Sequence, residues 1–187
     1  MLMMFKRTIP GVKIAAIAAV MFLYGCESNF KDVQMIHFSE FYPSGEADTL
    51  NMKYTDSGRI TAVLISPKML DYATVEFPFT EFPQGIDVTL YDKKGKRTFI
   101  KSGYAVSFKG TDLIDLRTRV RITSEDGKLL ETEQLYFDQK NEWFFTEKNF
   151  KFTDPEGGST TGQGIDFNKD FKKINFQKVQ GQLNKAE

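Results

Sequence analysis

The chain reads as an all-β protein. Three observations carry that expectation: short apolar-polar alternations recur along the chain after residue 48, compact turn signals separate them, and almost nothing has helical periodicity. The turn signals include Asp56-Ser57-Gly58, Pro83-Gln84-Gly85, Lys93-Lys94-Gly95, Glu125-Asp126-Gly127 and Pro155-Glu156-Gly157-Gly158. In the clearest segment, Leu116, Thr118, Val120 and Ile122 alternate with Arg117, Arg119, Arg121 and Thr123, a period of two that no helix would produce. Leu129 to Phe137 follows across Asp126-Gly127, a pair favoured in tight hairpins because the backbone must take positive φ there, so these two strands are expected to be antiparallel neighbours. Further strands are expected over Asp48 to Tyr54, Gly58 to Ser66, Ile86 to Tyr91, Thr98 to Phe108, Trp143 to Thr146, Asn149 to Thr153, Thr161 to Phe167 and Ile174 to Gln180, with a turn or two of helix near Pro67 to Thr74. So many short strands fit a sandwich, a barrel or a jelly roll.

The N terminus reads as an export signal. Residues 1–25 hold Lys6, Arg7 and Lys13 and no acidic residue, and end in the apolar run from Ile14 to Leu23. Leu23-Tyr24-Gly25-Cys26 resembles a lipobox, in which the cysteine thiol forms a thioether to diacylglycerol before cleavage. Serine lacks that chemistry, and Cys26 is the only cysteine. An uncut anchor is the competing reading, but the apolar run falls well short of the ~20 residues that cross a bilayer as a helix, and Pro10, Gly11 and Lys13 break any extension toward Ile9. The expected organisation is a signal over 1–25, lipidation at Cys26, a tether over 26–47, a β domain over 48–182 and a tail over 183–187.

Composition narrows function. Without Lys6, Arg7 and Lys13, 22 of the 25 basic residues remain against all 25 acidic ones, a net charge of −3. That mixed surface lacks the concentrated basic face that nucleic-acid binding requires. With Cys26 acylated no disulfide is available, so the fold must stand on its core, to which only Phe5 and Phe22 of the 18 phenylalanines are lost on cleavage. A single histidine, His37, lies in the polar N-terminal stretch, which argues against a histidine-based triad, and with no free cysteine it leaves no zinc ligand set. Glu131 and Glu133 point the same way from one strand, but a solvated face opposite Arg117, Arg119 and Arg121 explains them without chemistry. Gly157-Gly158-Ser159 and Gly162-Gln163-Gly164 read as turns, because no Gly-Lys-Ser or Gly-Lys-Thr completes a phosphate loop. No catalytic residue, metal or cofactor is expected.

The order of several segments resembles a known family. Leu113-Ile114-Asp115-Leu116, Val120-Arg121-Ile122, Asp126-Gly127-Lys128-Leu129 and Glu131 through Asp138 look like the strand-turn-strand repeat of the LptC and LptA group of lipopolysaccharide transport proteins. Gly162-Gln163-Gly164-Ile165-Asp166-Phe167, followed by Phe171, Ile174-Asn175-Phe176 and Val179-Gln180-Gly181, is similar to that group's closing strands. The similarity is good from Thr98 to Gly181 and weak from Asn29 to Phe82. It implies a half-open, V-shaped β-jelly roll of short antiparallel strands whose apolar groove holds the acyl chains of lipopolysaccharide. The groove residues it implies are Ile60, Ala62 and Leu64; Val88 and Leu90; Tyr104, Val106 and Phe108; Leu116, Val120 and Ile122; and Leu135, Phe137, Phe150 and Phe152.

The resemblance also implies partners. The N-terminal edge would meet the periplasmic jelly-roll domains of an inner-membrane ABC transporter. The C-terminal edge, Ile174, Asn175, Phe176, Gln177, Lys178, Val179 and Gln180, would add its strand to an LptA-like periplasmic protein, so that one trough continues into the next. Lys172, Lys173 and Lys178 are what an ordinary protected edge would also carry. The implied location is the periplasmic side of the inner membrane, with the outer membrane as the alternative, because the family is more often held by an uncut helix than by an acylated cysteine such as Cys26. Two other readings compete: a β-rich surface lipoprotein binding a protein or glycan through Trp143, Phe144 and Phe145, and, less well supported, a hydrolase using scattered carboxylates.

Overall fold

The computed structural model describes residues 42–179, and none of these is helical. The export signal, Cys26, His37, most of the expected tether, Gln180 and the tail over 183–187 lie outside the described residues. Eleven strands occur among those described: β1 (Gly45–Asp56), β2 (Arg59–Tyr72), β3 (Phe79–Phe82), β4 (Ile86–Tyr91), β5 (Arg97–Ser102), β6 (Tyr104–Phe108), β7 (Leu113–Ser124), β8 (Leu129–Asp138), β9 (Trp143–Thr153), β10 (Ser159–Asn168) and β11 (Ile174–Val179). Every pairing is antiparallel.

One hydrogen-bonded path is creased into two facing leaves. β2 gives Ala62–Ile65 to β4 and Leu70–Tyr72 to β3, and β7 gives Leu113–Arg117 to β6 and Arg121–Ser124 to β5. The pairings therefore close a ring, β2-β4-β5-β7-β6-β3, from which β8, β9, β10 and β11 extend in succession while β1 lies along β2. The first leaf holds β4, β5 and the halves of β2 and β7 that pair with them. The second holds β3, β6 and the other halves. One apolar cluster joins the leaves, with Leu64, Ile100, Ile122 and Leu130 from the first and Phe82, Leu116, Leu135 and Phe144 from the second.

The crease can be followed strand by strand. Neither Thr49, at φ 56°, nor Pro67 opposite it has a paired neighbour in β1–β2. The β7–β8 ladder skips between Arg117 and Val120, where Thr118 and Arg119 take positive φ, the β8–β9 ladder skips between Thr132 and Tyr136, and the β9–β10 ladder skips at Gly164 (φ 79°). Each break leaves backbone groups without a ladder partner, and buried hydroxyls take several of them. Ser66 Oγ donates to the Gly85 carbonyl at 2.8 Å, Thr132 Oγ1 donates to the Asn149 carbonyl at 2.8 Å, and Thr146 Oγ1 accepts from the Lys148 amide at 3.0 Å.

The crease also explains where the expected elements and the observed ones differ. Pro67 to Thr74 is not helical: Met69 and Leu70 pair with Ala47 and Glu46, and Leu70–Tyr72 pair with β3, so the segment continues β2 beyond a proline that has no amide to lose from the ladder. β3 itself was not expected, because four residues between Pro78 and Pro83 are too short to show alternation. Thr98 to Phe108 is two strands separated by Gly103, whose amide donates to Thr118 O at 2.8 Å. Trp143 to Thr146 and Asn149 to Thr153 form one strand, β9. Gly162-Gln163-Gly164 lies inside β10 and not in a turn.

Two predictions follow from these joints. A side chain at Gly85, whose φ is +84°, would run into the Ser102 carbonyl, so Gly85→Ala is expected to lower unfolding stability by about 2–4 kcal/mol in urea denaturation. At the far end of the first leaf, hydrogen bonds from Lys96 and Ser124 hold the Asp126 carboxyl down at about 2. A depressed acid stabilises the fold above its ordinary pKa, and that contribution is lost as pH falls from about 4 toward 2. Asp126→Asn should thus cost up to about 1 kcal/mol at neutral pH, given the partial exposure of the pair, and match the parent protein in acid denaturation below pH 2.

Candidate functional site: an apolar trough between the leaves

The alternating strands aim half their side chains between the leaves, and near the β1–β6 end these do not meet. A cavity of about 360 Å³ remains, within the range of natural ligand pockets. Leu64, Ile86, Val88 and Ile100 line it from the first leaf, and Met69, Phe82, Ile114, Leu116 and Phe137 from the second. Polar groups gather at its margins: Tyr54 and Thr61 on β1 and β2, and Gln139, Glu142 and Lys169 from the turns beyond β8 and β10. Lys169 and Glu142 form an ion pair there. Partial burial raises the Tyr54 phenol above its usual value. Among the described residues no His, Cys, Asp and Glu side chains group together to hold a metal ion.

Away from β1–β6 the interior is filled with rings. Phe137 stacks on Phe144 (centroids 4.3 Å apart), Phe144 on Phe167 (5.2 Å), and Phe167 on Phe171 (4.6 Å). Phe152 lies 6.2 Å from Phe171 and 5.9 Å from Phe176, and Phe150 stacks on Phe176 at 5.6 Å. Such pairs add to the burial of their own apolar area, so this part is a filled core, with Phe176, 38% exposed, at its edge. The trough implied by the resemblance continues into the partner, whereas Phe137 is the last ring that lines the observed cavity.

Of the expected groove residues, Ala62, Leu64, Val88, Leu90, Leu116 and Phe137 line the cavity. Val120, Ile122, Leu135, Phe150 and Phe152 are inside but belong to the closed core. Ile60, 44% exposed, sits at the β1–β2 hairpin outside the lining. Tyr104, Val106 and Phe108 lie on the other face of β6: Ala105 joins the core and Ser107 lines the cavity, so their alternate neighbours point away from the trough, Val106 being buried on that opposite face. The cause is Gly103. The break there shifts the alternation by one, and a strand running unbroken from Thr98 would have put the opposite set inside. Met52, Met69, Phe82, Ile86 and Ile100 were missed, although their position on the strands of Leu64 and Val88, or on strands paired with these, is the signal that finds them.

The outer face of the second leaf has its own order. Asp115, 1% exposed, accepts from Arg117 Nε at 2.8 Å and from Gln134 Nε2 at 2.9 Å, and Arg117 lies over the Tyr104 ring. Burial, with Glu81 beside it, pushes the Tyr104 phenol up to about 12. Arg121 approaches Glu131 at 3.9 Å, as the charge alternation implied, but the partner of Arg117 is Asp115 on its own strand. The supposed aromatic patch divides: Phe145 is partly exposed, Trp143 half-buried and Phe144 wholly inside.

The two interior regimes differ in what a truncation removes. Leu135→Ala in the filled half should cost about 2–5 kcal/mol, whereas Leu90→Ala, beside space already empty, should cost about 1 kcal/mol in the same denaturation assay.

No curated protein matches the chain. The family described as lipopolysaccharide-assembly, LptC-related, matches over residues 14–184, nearly the full length. An all-β creased roll with an apolar interior, matched over that span, belongs to the LptC-related family of lipopolysaccharide-assembly proteins.

Proposed function

We propose that this member of a lipopolysaccharide transport family takes acyl chains from an inner-membrane ABC transporter into the trough between its leaves and passes them to an LptA-like periplasmic protein. The observation that carries the reading is the apolar cavity of about 360 Å³, placed where two leaves of one sheet part. Each methylene kept out of water is worth about 0.8 kcal/mol, so a lipid with several chains does not cross an aqueous space unaided, and an apolar trough removes that barrier. The family is periplasmic and associated with the inner membrane, and acylation at Cys26 would hold the domain there.

The margins of the sheet supply the connections. β1 and β11 each pair on one side only among the described residues, leaving rows of backbone donors and acceptors that accept a strand from another chain. In this reading β1 faces the jelly-roll domains of the transporter and Ile174 to Gln180 faces the LptA-like partner. The lysines at 172, 173 and 178 deter random pairing while favouring a partner with acidic residues. ATP hydrolysis in the transporter supplies direction.

Photo-crosslinking tests this. With a benzoylphenylalanine probe at Phe137, in the cavity lining, lipopolysaccharide adducts should form in cells; at Tyr104, on the outer face, they should not. Labelling at Tyr104 with none at Phe137 would instead favour the protein- or glycan-binding reading.

A further inference from the structure

We propose that the β10–β11 turn is a gate between the trough and the partner-facing edge, and that Phe171 is the part that blocks the way. The inference rests on the acyl-chain reading above and says where along the path the chain is stopped. Phe137 is the last ring in the cavity lining, and the rings of Phe144, Phe167, Phe171, Phe152 and Phe150 stand between it and Phe176 on β11. All but one of these rings come from paired strands. Phe171 comes from the turn between Asn168 and Lys173, so it alone can leave without unzipping a ladder.

Its conformation fits that role. Phe171 takes φ 54°, a left-handed backbone that bulky residues rarely adopt, yet only 3% of it is exposed. The ring is thus held inward against a backbone preference, touching Phe167 on the second leaf and Phe152 on the first. The turn is closed on itself by the Phe171 amide donating to Asn168 O at 2.9 Å and the Lys173 amide donating to Asn168 Oδ1 at 2.8 Å, so it can move as a unit, and three bonds tie it to the rest of the fold through Lys169. Thr98 Oγ1 of the first leaf donates to the Lys169 carbonyl at 3.4 Å, the Lys169 amide donates to Glu142 O at 3.0 Å, and the Lys169 ammonium pairs with the Glu142 carboxylate.

Those ties lie at the mouth of the cavity, because Glu142 and Lys169 both line it. An anionic group on an arriving lipid would compete with Glu142 for Lys169 and loosen the turn as the chain enters. Occupation of the trough and release of Phe171 are then one event.

The test places a photoreactive benzoylphenylalanine at Phe137, before the gate, or at Phe176, beyond it, in full-length protein in cells making lipopolysaccharide. Phe171→Ala should raise adducts at position 176 severalfold while leaving those at 137 near the parent level, and Glu142→Gln should act in the same direction. Unchanged labelling at 176 in a Phe171→Ala protein that keeps its β circular dichroism overturns the gate alone. If Phe171→Ala does not fold, Glu142→Gln decides by the same criterion. Absence of adducts at both positions in every background overturns the acyl-chain reading and the gate with it.

Discussion

The structure depends on folding a pleated sheet back on itself without stranding its backbone. Long strands cannot bend sharply while every amide stays in the ladder, and an unpaired amide inside the protein is costly. Here the bends of successive strands are aligned, so the ladder fails along one line, where proline, glycine and residues of positive φ sit and where Ser66, Thr132 and Thr146 stand in for missing partners. Ser102 is the exception among the described residues, a buried hydroxyl at the same line with no partner. The two walls of the trough, the parity of each strand and the positions of the free edges all follow from that line.

What the amino-acid pattern revealed and what it concealed divide along the same line. Within a leaf, alternation is a faithful guide, and Leu64 with Ala62, Val88 with Leu90, and Leu116 are where a simple period of two puts them. Across the crease the period slips in several strands, and a reader carrying it through Gly103 arrives at Tyr104, Val106 and Phe108 when the inward residues are Ala105 and Ser107. Pro67 misled for a related reason. A residue without an amide is usually read as ending a strand, yet opposite Thr49 no ladder bond was there to lose.

Filled core and empty trough are built from the same kinds of residue, which is why composition alone could not separate them. Ile122 and Val88 are both inward-facing β-branched residues on the first leaf, yet one is sealed and the other lines a cavity. The difference lies in what stands opposite. Large rings from β9, β10 and the β10–β11 turn occupy the far half, whereas Met52, Met69 and Ala62 leave room in the near half. Methionine is the adaptable side chain here, able to reshape its wall around different guests.

The closed circuit β2-β4-β5-β7-β6-β3 has a mechanical consequence. β2 and β7 each serve both leaves, so neither wall of the near half can swing away without shearing hydrogen bonds in the other, and the hoop holds its bore under load. β8 to β11 pair with it through β7 alone and extend from it as an arm, held otherwise by side-chain packing and the Thr98–Lys169 bond. Traction on the free tip would flex this arm and spare the hoop, confining compliance to the stretch where a cargo changes hands.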